Sequence, residues 1–525
     1  MDTIIHNAKI HSMDEQGTVY EAIAIKDGKI IEVGPERQIL NKYSAEETID
    51  AQLRDVYPGF TDAHGHIMSY AKQKISVDLV GCRSYDEMIV RIEKYQGKHK
   101  RDFIIGRGWD QSLWGEKELP NNKALNEKFP NTPVCLFRID GHAILANDAA
   151  YKKAKVLDMT REEMDACQGG YYVFEEDSFT GVAVDNAMNK VLDIAPEFPQ
   201  KELKQAILEV QMELYGYGIT GVHEAGLEHS EFQLFDQMVN DDELDLNIYG
   251  MLLPTGDNLT FAKKNGIYEN QNLLIRSIKV YGDGAMGSRG AFMKQDYSDH
   301  HGHQGYAITD VDELVEIADF CEQVGYQMNT HAIGDSANLL LLKLYEYTNA
   351  GNADHRWRIE HCQVVDVFDF ARFMDAGVFP SVQPTHAVSD QRWAESRIGE
   401  ERMKGAYAYK MLLEQFGMLA IGTDFPVESP DPFATIHAAV NRKDKDNQPA
   451  GGFIPNQAIT MDQCIRGMTV WAAYAGFQEK NLGTLEEGKD ATLVIFDKPV
   501  VDMPTYQPNF AYTTLIKGKK VYTVE

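Results

Sequence analysis

The segment Pro58-Gly59-Phe60-Thr61-Asp62-Ala63-His64-Gly65-His66 places two histidines two residues apart. On an extended strand alternate side chains point the same way, so both imidazoles can face one metal ion. Imidazole suits zinc, and also iron, nickel or copper. Three more candidates end later strand segments: His331 after Gln327-Met328-Asn329-Thr330, His361 after Arg358-Ile359-Glu360, and Asp424 after Ala420-Ile421-Gly422-Thr423. Any one alone reads equally well as a satisfied core histidine or a strand-end aspartate. Four histidines and a carboxylate, each at a strand end, form a sensible ligand set for a divalent cation. Zinc is the expected ion, at one or two per chain.

Two residues could add a bridging ligand. Lys279 lies within Ser277-Ile278-Lys279-Val280-Tyr281, an otherwise apolar strand. A buried ammonium must be neutralised, paired or chemically converted. Reaction with carbon dioxide would give a carbamate, an anionic oxygen ligand. Glu224, in Val222-His223-Glu224-Ala225-Gly226, could bridge instead, or the two could form a buried ion pair.

Such a centre implies hydrolysis. A bound metal lowers the pKa of water toward about 7 and polarises a carbonyl. Asp424 would orient that nucleophile, accept its proton and pass it to the leaving group. His142, His386 and Arg289 are candidates for binding the carbonyl oxygen or the leaving group.

These residues need a scaffold that brings strand ends together. Leu203, Ala206, Ile207, Val210 and Leu214 share one helical face, as do Leu314, Ile317, Ala318 and Cys321. A short strand follows each helix, which argues for βαβ units and a parallel sheet. The strand candidates are Val56 to Thr61, Val134 to Ile139, Ile219 to Glu224, Ser277 to Tyr281, Tyr326 to His331, Trp357 to His361, Val378 to Gln383 and Met418 to Thr423. Eight is the number a closed (β/α)8 TIM barrel requires, and its sites lie at the C-terminal strand ends. The expected class is therefore α/β.

The wide spacing from Val56 to Val134, and on to Ile219, implies an insertion at about residues 70–200, around the second strand. It includes Gly106-Arg107-Gly108-Trp109-Asp110. Its Trp109, Trp114, Tyr171 and Tyr172 could line a pocket or form the insertion's own small core. Strand-like segments at both ends, with turns at Asp27-Gly28 and near Gly518, set residues 1–55 and 480–525 apart from a catalytic domain at 56–479.

Lysine plus arginine total 51 against 80 acidic residues, a formal charge of −29. That field repels nucleic acid and anionic membrane surfaces, so a small-molecule substrate is expected and neither of those partners is. The six cysteines form no CxxC pair, which fits a reducing compartment. The N-terminus lacks a signal-peptide pattern and no apolar run reaches membrane-spanning length, so a cytoplasmic protein is expected.

The motifs PGFTDAHGH (58–66), DGHAILAN (140–147), GITGVHEAG (218–226), KVYGDGAMGSRGA (279–291), THAIGD (330–335), RIEHCQ (358–363), GTDFPV (422–427) and LGTLEEGKDATLVIFD (482–497) run nearly the whole chain in order. In them the chain resembles the amidohydrolase superfamily, most of all its YtcJ-like branch (amidohydrolase family 3), which includes N-substituted formamide deformylases. The resemblance implies a TIM barrel with a composite β-sandwich from both termini and a possible homodimer. It implies metal ligation by His64, His66, His331, His361 and Asp424, with Lys279 as the carboxylated bridge. It points to cleavage of a C–N bond in a non-peptide amide or formamide. A lactone or ester hydrolase on the same scaffold, and a catalytically silent metal- or ligand-binding protein, are the alternatives.

Overall fold

Gly59 divides what the sequence presents as one strand. In the computed structural model Asp55–Pro58 belongs to a sheet built from the chain ends, and Phe60–Gly65 opens a second, parallel sheet. A Cβ at Gly59 would run into the Thr220 side chain, so the chain can pass there only as glycine. The structure describes residues 1–114, 119–348, 354–501 and 504–524.

The parallel sheet contains eight strands in sequential order: β1 (Phe60–Gly65), β2 (Ile219–Leu227), β3 (Asn247–Leu252), β4 (Leu273–Tyr281), β5 (Gln327–Ala332), β6 (Arg358–His361), β7 (Phe379–Val382) and β8 (Ala420–Ile421). Each pairs in parallel with the next. The seam between β8 and β1 is closed by the residues that follow β8. The Asp424 N–H donates to the His64 carbonyl at 2.7 Å and the His66 N–H to the Phe425 carbonyl at 2.9 Å. The Asp62 carboxylate also accepts the Thr423 N–H at 3.0 Å and its hydroxyl at 2.6 Å. This is the expected (β/α)8 barrel.

One strand assignment is corrected. Val134–Arg138 is not a barrel strand; the barrel contains Asn247–Leu252, which the sequence reading passed over. The two segments look alike because both are short, buried central strands, and a short apolar run does not say which sheet it joins. Gly250 at the middle of β3 weakens the strand signal further. Glu224 therefore lies in the second barrel strand, and the insertion follows β1.

The flanking helices form where expected. Gln200–Gly216 buries Leu203, Ala206, Ile207, Val210 and Leu214. Val311–Val324 buries Leu314, Ile317, Ala318 and Cys321; Asp310 caps it by accepting the Glu313 N–H, and Gly325 ends it at φ 72°.

Between β1 and β2 the chain builds a six-stranded sheet in the order Gly170–Glu175, Ser178–Asp185, Ala143–Ala146, Val134–Arg138, Ile104–Trp109, Val77–Asp78. Alternate residues feed two apolar clusters. Leu136, Leu145 and Val184 lie in one, and Cys135, Ile144 and Ala183 in the other. Trp109 and Tyr172 are buried in these clusters, with Trp114 and Tyr171 packed against the first, so the four aromatics form the insertion's core.

The chain ends form two more sheets. One is Lys29–Gly34, Ala22–Lys26, Thr3–His6, Glu47–Asp50. The other, Lys519–Thr523, Ala511–Ile516, Leu493–Phe496, Asp55–Pro58, Lys9–His11, Val19–Tyr20, draws strands from both ends of the chain. A shared core of Ile5, Ile10, Ile23, Val56, Leu493 and Leu515 joins them.

Candidate metal centre

His64 and His66 leave the end of β1 with ring centroids 5.4 Å apart. His331 ends β5 and His361 ends β6, with rings 4.5 Å apart; the His64 and His361 rings are separated by 4.9 Å. Two residues reach the group through left-handed backbone: His361 at φ 78° and Asp424 at φ 61°. Non-glycine residues in that region are uncommon and cluster at functional sites. Strand alternation keeps Arg358 and Glu360 on one face of β6, and the turn lets the His361 ring depart from that alternation.

Asp424 is the hub. Its Oδ1 lies 2.9 Å from His66 Nε2 and 3.6 Å from His64 Nε2, and its Oδ2 lies 3.5 Å from His386 Nε2. Two sets of potential ligand atoms, each within 4.8 Å of one another, share it: His64, His66 and Asp424, and His361, His386 and Asp424. His386 comes from helix Pro384–Asp390, just past β7, and stacks on His361 at 5.8 Å. It was expected to contact substrate, yet its position equally allows it to ligate.

The protonation states suit a cation. Burial, reinforced by the Lys279 charge, lowers the His64 pKa to about 4. Burial also drives His331 and His361 well below the ordinary histidine value. Neutral imidazoles offer lone pairs. Burial works against an ionised Asp424, but interactions led by the His66 hydrogen bond outweigh it and hold the carboxyl well below the usual range. His361 Nδ1 and His386 Nε2 are buried without hydrogen-bond partners. Orphaned buried nitrogens beside a carboxylate fit a bound divalent ion.

Lys279, on β4, is 1% exposed, and its Nζ lies 3.4 Å from His64 Nε2. Burial pushes its ammonium down to about 8. Glu224 is placed differently. Its carboxylate accepts the Ile67 N–H at 2.5 Å and the Met68 N–H at 3.1 Å, at the start of helix Ile67–Lys74. Like His331, it belongs to neither ligand cluster among the described residues, and it makes no ion pair with Lys279.

Sequence reasoning missed the support behind His64. Glu360 Oε2 lies 2.5 Å from His64 Nδ1, which keeps the proton there and leaves Nε2 facing the centre. Arg358, fully buried, holds Glu360 at 2.7 Å and 3.0 Å and also reaches His223 Nδ1, the Ala63 carbonyl and Ser381 Oγ. The i, i+2 spacing of Arg358 and Glu360 beside His361 was the available signal.

The centre opens into a cavity of about 500 Å³, within the range that holds small ligands. The inserted sheet supplies part of its wall. His142 lies there with Nδ1 2.6 Å from Asp185 and its ring 5.0 Å from that of His331. Burial would lower its pKa, but the Asp185 charge outweighs this and raises it. Arg289 is not among the described lining residues; its guanidinium is bound to Asp299 at 3.1 Å and 3.2 Å. Its expected substrate role is therefore not supported by its place. Arg107 and Arg138 are the cations that the insertion brings to the cavity.

Fold and centre together define a barrel hydrolase scaffold with a histidine- and aspartate-built cation site at its mouth. The chain belongs to the amidohydrolase family, whose model matches residues 47–522. It is 29% identical to Protein LONG AFTER FAR-RED 3 of Arabidopsis thaliana, over 99% of this chain and 91% of that one. It is 27% identical to putative amidohydrolase YtcJ of Bacillus subtilis, over 99% of each. N-substituted formamide deformylase of Arthrobacter pascens is 24% identical over 96% of this chain and 95% of its own. An uncharacterized metal-dependent hydrolase from Pyrococcus horikoshii superposes with a TM-score of 0.77 at 26% identity, over 94% of this chain and 97% of that one.

Proposed function

We propose that this protein is a metal-dependent hydrolase that cleaves the C–N bond of a non-peptide amide, with N-substituted formamides as the nearest model. The observation that carries the reading is Asp424 shared between two ligand clusters at the floor of a substrate-sized cavity. The likeness to a formamide deformylase over nearly the full chain supports the bond type.

His64, His66, His331, His361 and Asp424 would hold the ion, with His386 within reach. When bound, a divalent metal, zinc foremost, supplies Lewis acidity toward the carbonyl and acidifies water. Asp424 takes the proton of the attacking water and delivers it to the leaving nitrogen. His142, its Nδ1 held by Asp185, is positioned to donate from Nε2 to the substrate carbonyl. Glu360 and Arg358 keep His64 in its working tautomer. Glu224 is occupied at a helix start, so Lys279 is the residue that would supply a further anionic ligand. A neutral fraction of its amine, accessible near pH 8, adds to carbon dioxide and releases a proton to give the carbamate.

We also read the protein as cytoplasmic: its cysteines are free and all but Cys167 are buried, as a reducing compartment permits. Among the described residues no helix is long and apolar enough to cross a membrane.

The test is metal content per chain on protein purified without chelator, paired with turnover of matched formamide and ester substrates. About two zinc ions per chain with formamide cleavage supports a bridged centre and the carboxylated lysine. About one leaves a mononuclear hydrolase with an unmodified Lys279. Preferred ester cleavage would move the reading to the ester class. Absence of both metal and zinc- or manganese-restored activity would overturn it.

A further inference from the structure

Arg107 is a cation in the cavity wall that the proposed chemistry leaves unused. It lies in Ile104–Trp109 of the inserted sheet, where pairing with Val134–Arg138 shifts register between Arg107 and Trp109. Gly108 sits at the bulge with φ 110°, and a Cβ there would lie 2.5 Å from Val80 Cγ2. A bulge re-aims the side chains beside it. Trp109 turns into the insertion's core, fully buried, and its Nε1 donates to the Leu136 carbonyl at 2.7 Å. Arg107 turns to the cavity. Its Nη2 rests over Gly141, 3.1 Å from where a Cβ would stand.

Three guanidinium groups line the cavity, and they differ in what neutralises them. Arg138 is ion-paired to Asp140 and to Asp110 at 3.3 Å, and its Nε donates to Gln111 at 3.0 Å. Arg392 is exposed, so water and salt screen its charge. Arg107 is half-buried. It makes no side-chain hydrogen bond or ion pair among the described residues, and its Nε is sealed from water without a partner. A guanidinium with its Nε sealed from water and no paired anion is under-satisfied, and a ligand bringing the opposite charge to its cavity-facing edge relieves that. Its planar fork matches a carboxylate. The acids whose charge reaches Arg107, Asp140 and Asp424, make no ion pair with it: Asp140 is paired with Arg138 and Asp424 lies among His66, His64 and His386. Asp390 is bonded to Tyr407 and Gln363, and Glu428 to Ser389.

We propose that Arg107 docks a carboxylate on the substrate, so that the amide this site prefers carries one acid group beyond the scissile bond. The claim rests on the hydrolase reading for the bond cleaved, but not for the anion bound.

The test uses metal-loaded protein and one matched pair, N-formylphenylalanine and N-phenethylformamide, which differ only in the carboxylate. Wild type should favour the acid through a lower KM. Arg107→Met should lose about tenfold to a hundredfold in kcat/KM on the acid and change little on the neutral partner, with metal content intact. Arg107→Lys should recover part of the loss, because it keeps charge without the fork. No acid preference in wild type, or equal losses on both substrates, would overturn the proposal. If neither substrate is cleaved, calorimetry with hydrocinnamate and hydrocinnamyl alcohol decides it. Acid-selective binding that Arg107→Met abolishes upholds the anion site while the amide hydrolase reading falls. Binding that is absent, or unchanged by Arg107→Met, removes the site.

Discussion

Asp424 concentrates three contacts on two oxygens, with His66 and His64 on one and His386 on the other. Changing it to asparagine keeps the shape and removes both the charge and the basic site. Turnover in Asp424→Asn should fall by about 10²–10⁴-fold while the histidines retain much of the metal. Steady-state rates beside elemental analysis check this, and near-normal turnover would remove Asp424 from proton transfer. Glu360 acts one contact further out, through His64 Nδ1. Glu360→Gln should weaken metal binding about 10- to 100-fold, as loss of an orienting carboxylate typically does. Competition against a chromophoric chelator measures it; an unchanged affinity would show that Arg358 and the backbone orient His64 without that carboxylate. The ligand candidates were legible in the sequence because histidine and aspartate at strand ends are chemically conspicuous. For Glu360 the sequence offered only its spacing from Arg358, which does not say which imidazole lies across the barrel.

At the level of the strands, the seam between β8 and β1 decides whether the centre exists. Gly422 passes so close to His64 that an added Cβ would strike the His64 backbone nitrogen and the Asp62 carboxylate. Neither can yield, since Asp62 itself ties β1 to Thr423. Gly422→Ala should cost about 1–3 kcal/mol of stability and lower metal content, read by denaturant unfolding and elemental analysis. A variant with full metal and wild-type stability would show that the seam can open without consequence. Helical spacing and strand ends located most of the barrel in advance. The exchange of Val134–Arg138 for Asn247–Leu252 shows the limit: burial on both faces erases the alternation that would say which sheet a strand joins.

Across the whole molecule, Asp55 ties the two chain ends together. It lies 2.8 Å from His11 Nε2 and accepts the Val500 N–H at 2.9 Å. Burial alone would raise its pKa, but the His11 and Val500 hydrogen bonds outweigh that and lower it. A depressed carboxylate stabilises the folded state above its unfolded pKa of about 3.9, and the stabilisation is lost as pH falls through the lower folded value. Asp55→Asn should therefore be less stable than wild type by about 1 kcal/mol at neutral pH, with the gap closing below about pH 4. Thermal midpoints measured across that range test it, and a gap independent of pH would assign the loss to packing instead.

The sequence by itself determined the fold class, the candidate ligand residues and the cysteine-poor acidic character of the chain. Periodicity, residue chemistry and net charge are local or additive properties, and each can be read without knowing what lies across the fold. Tertiary structure alone decided that Asp424 joins two histidine clusters and that Glu224 closes a helix start. It also decided that Arg289 is taken by Asp299 and that a bulge delivers Arg107 to the cavity. Those outcomes depend on which side chains meet over long sequence separations and on left-handed turns at His361 and Asp424. Neither is encoded in the spacing of residues along the chain.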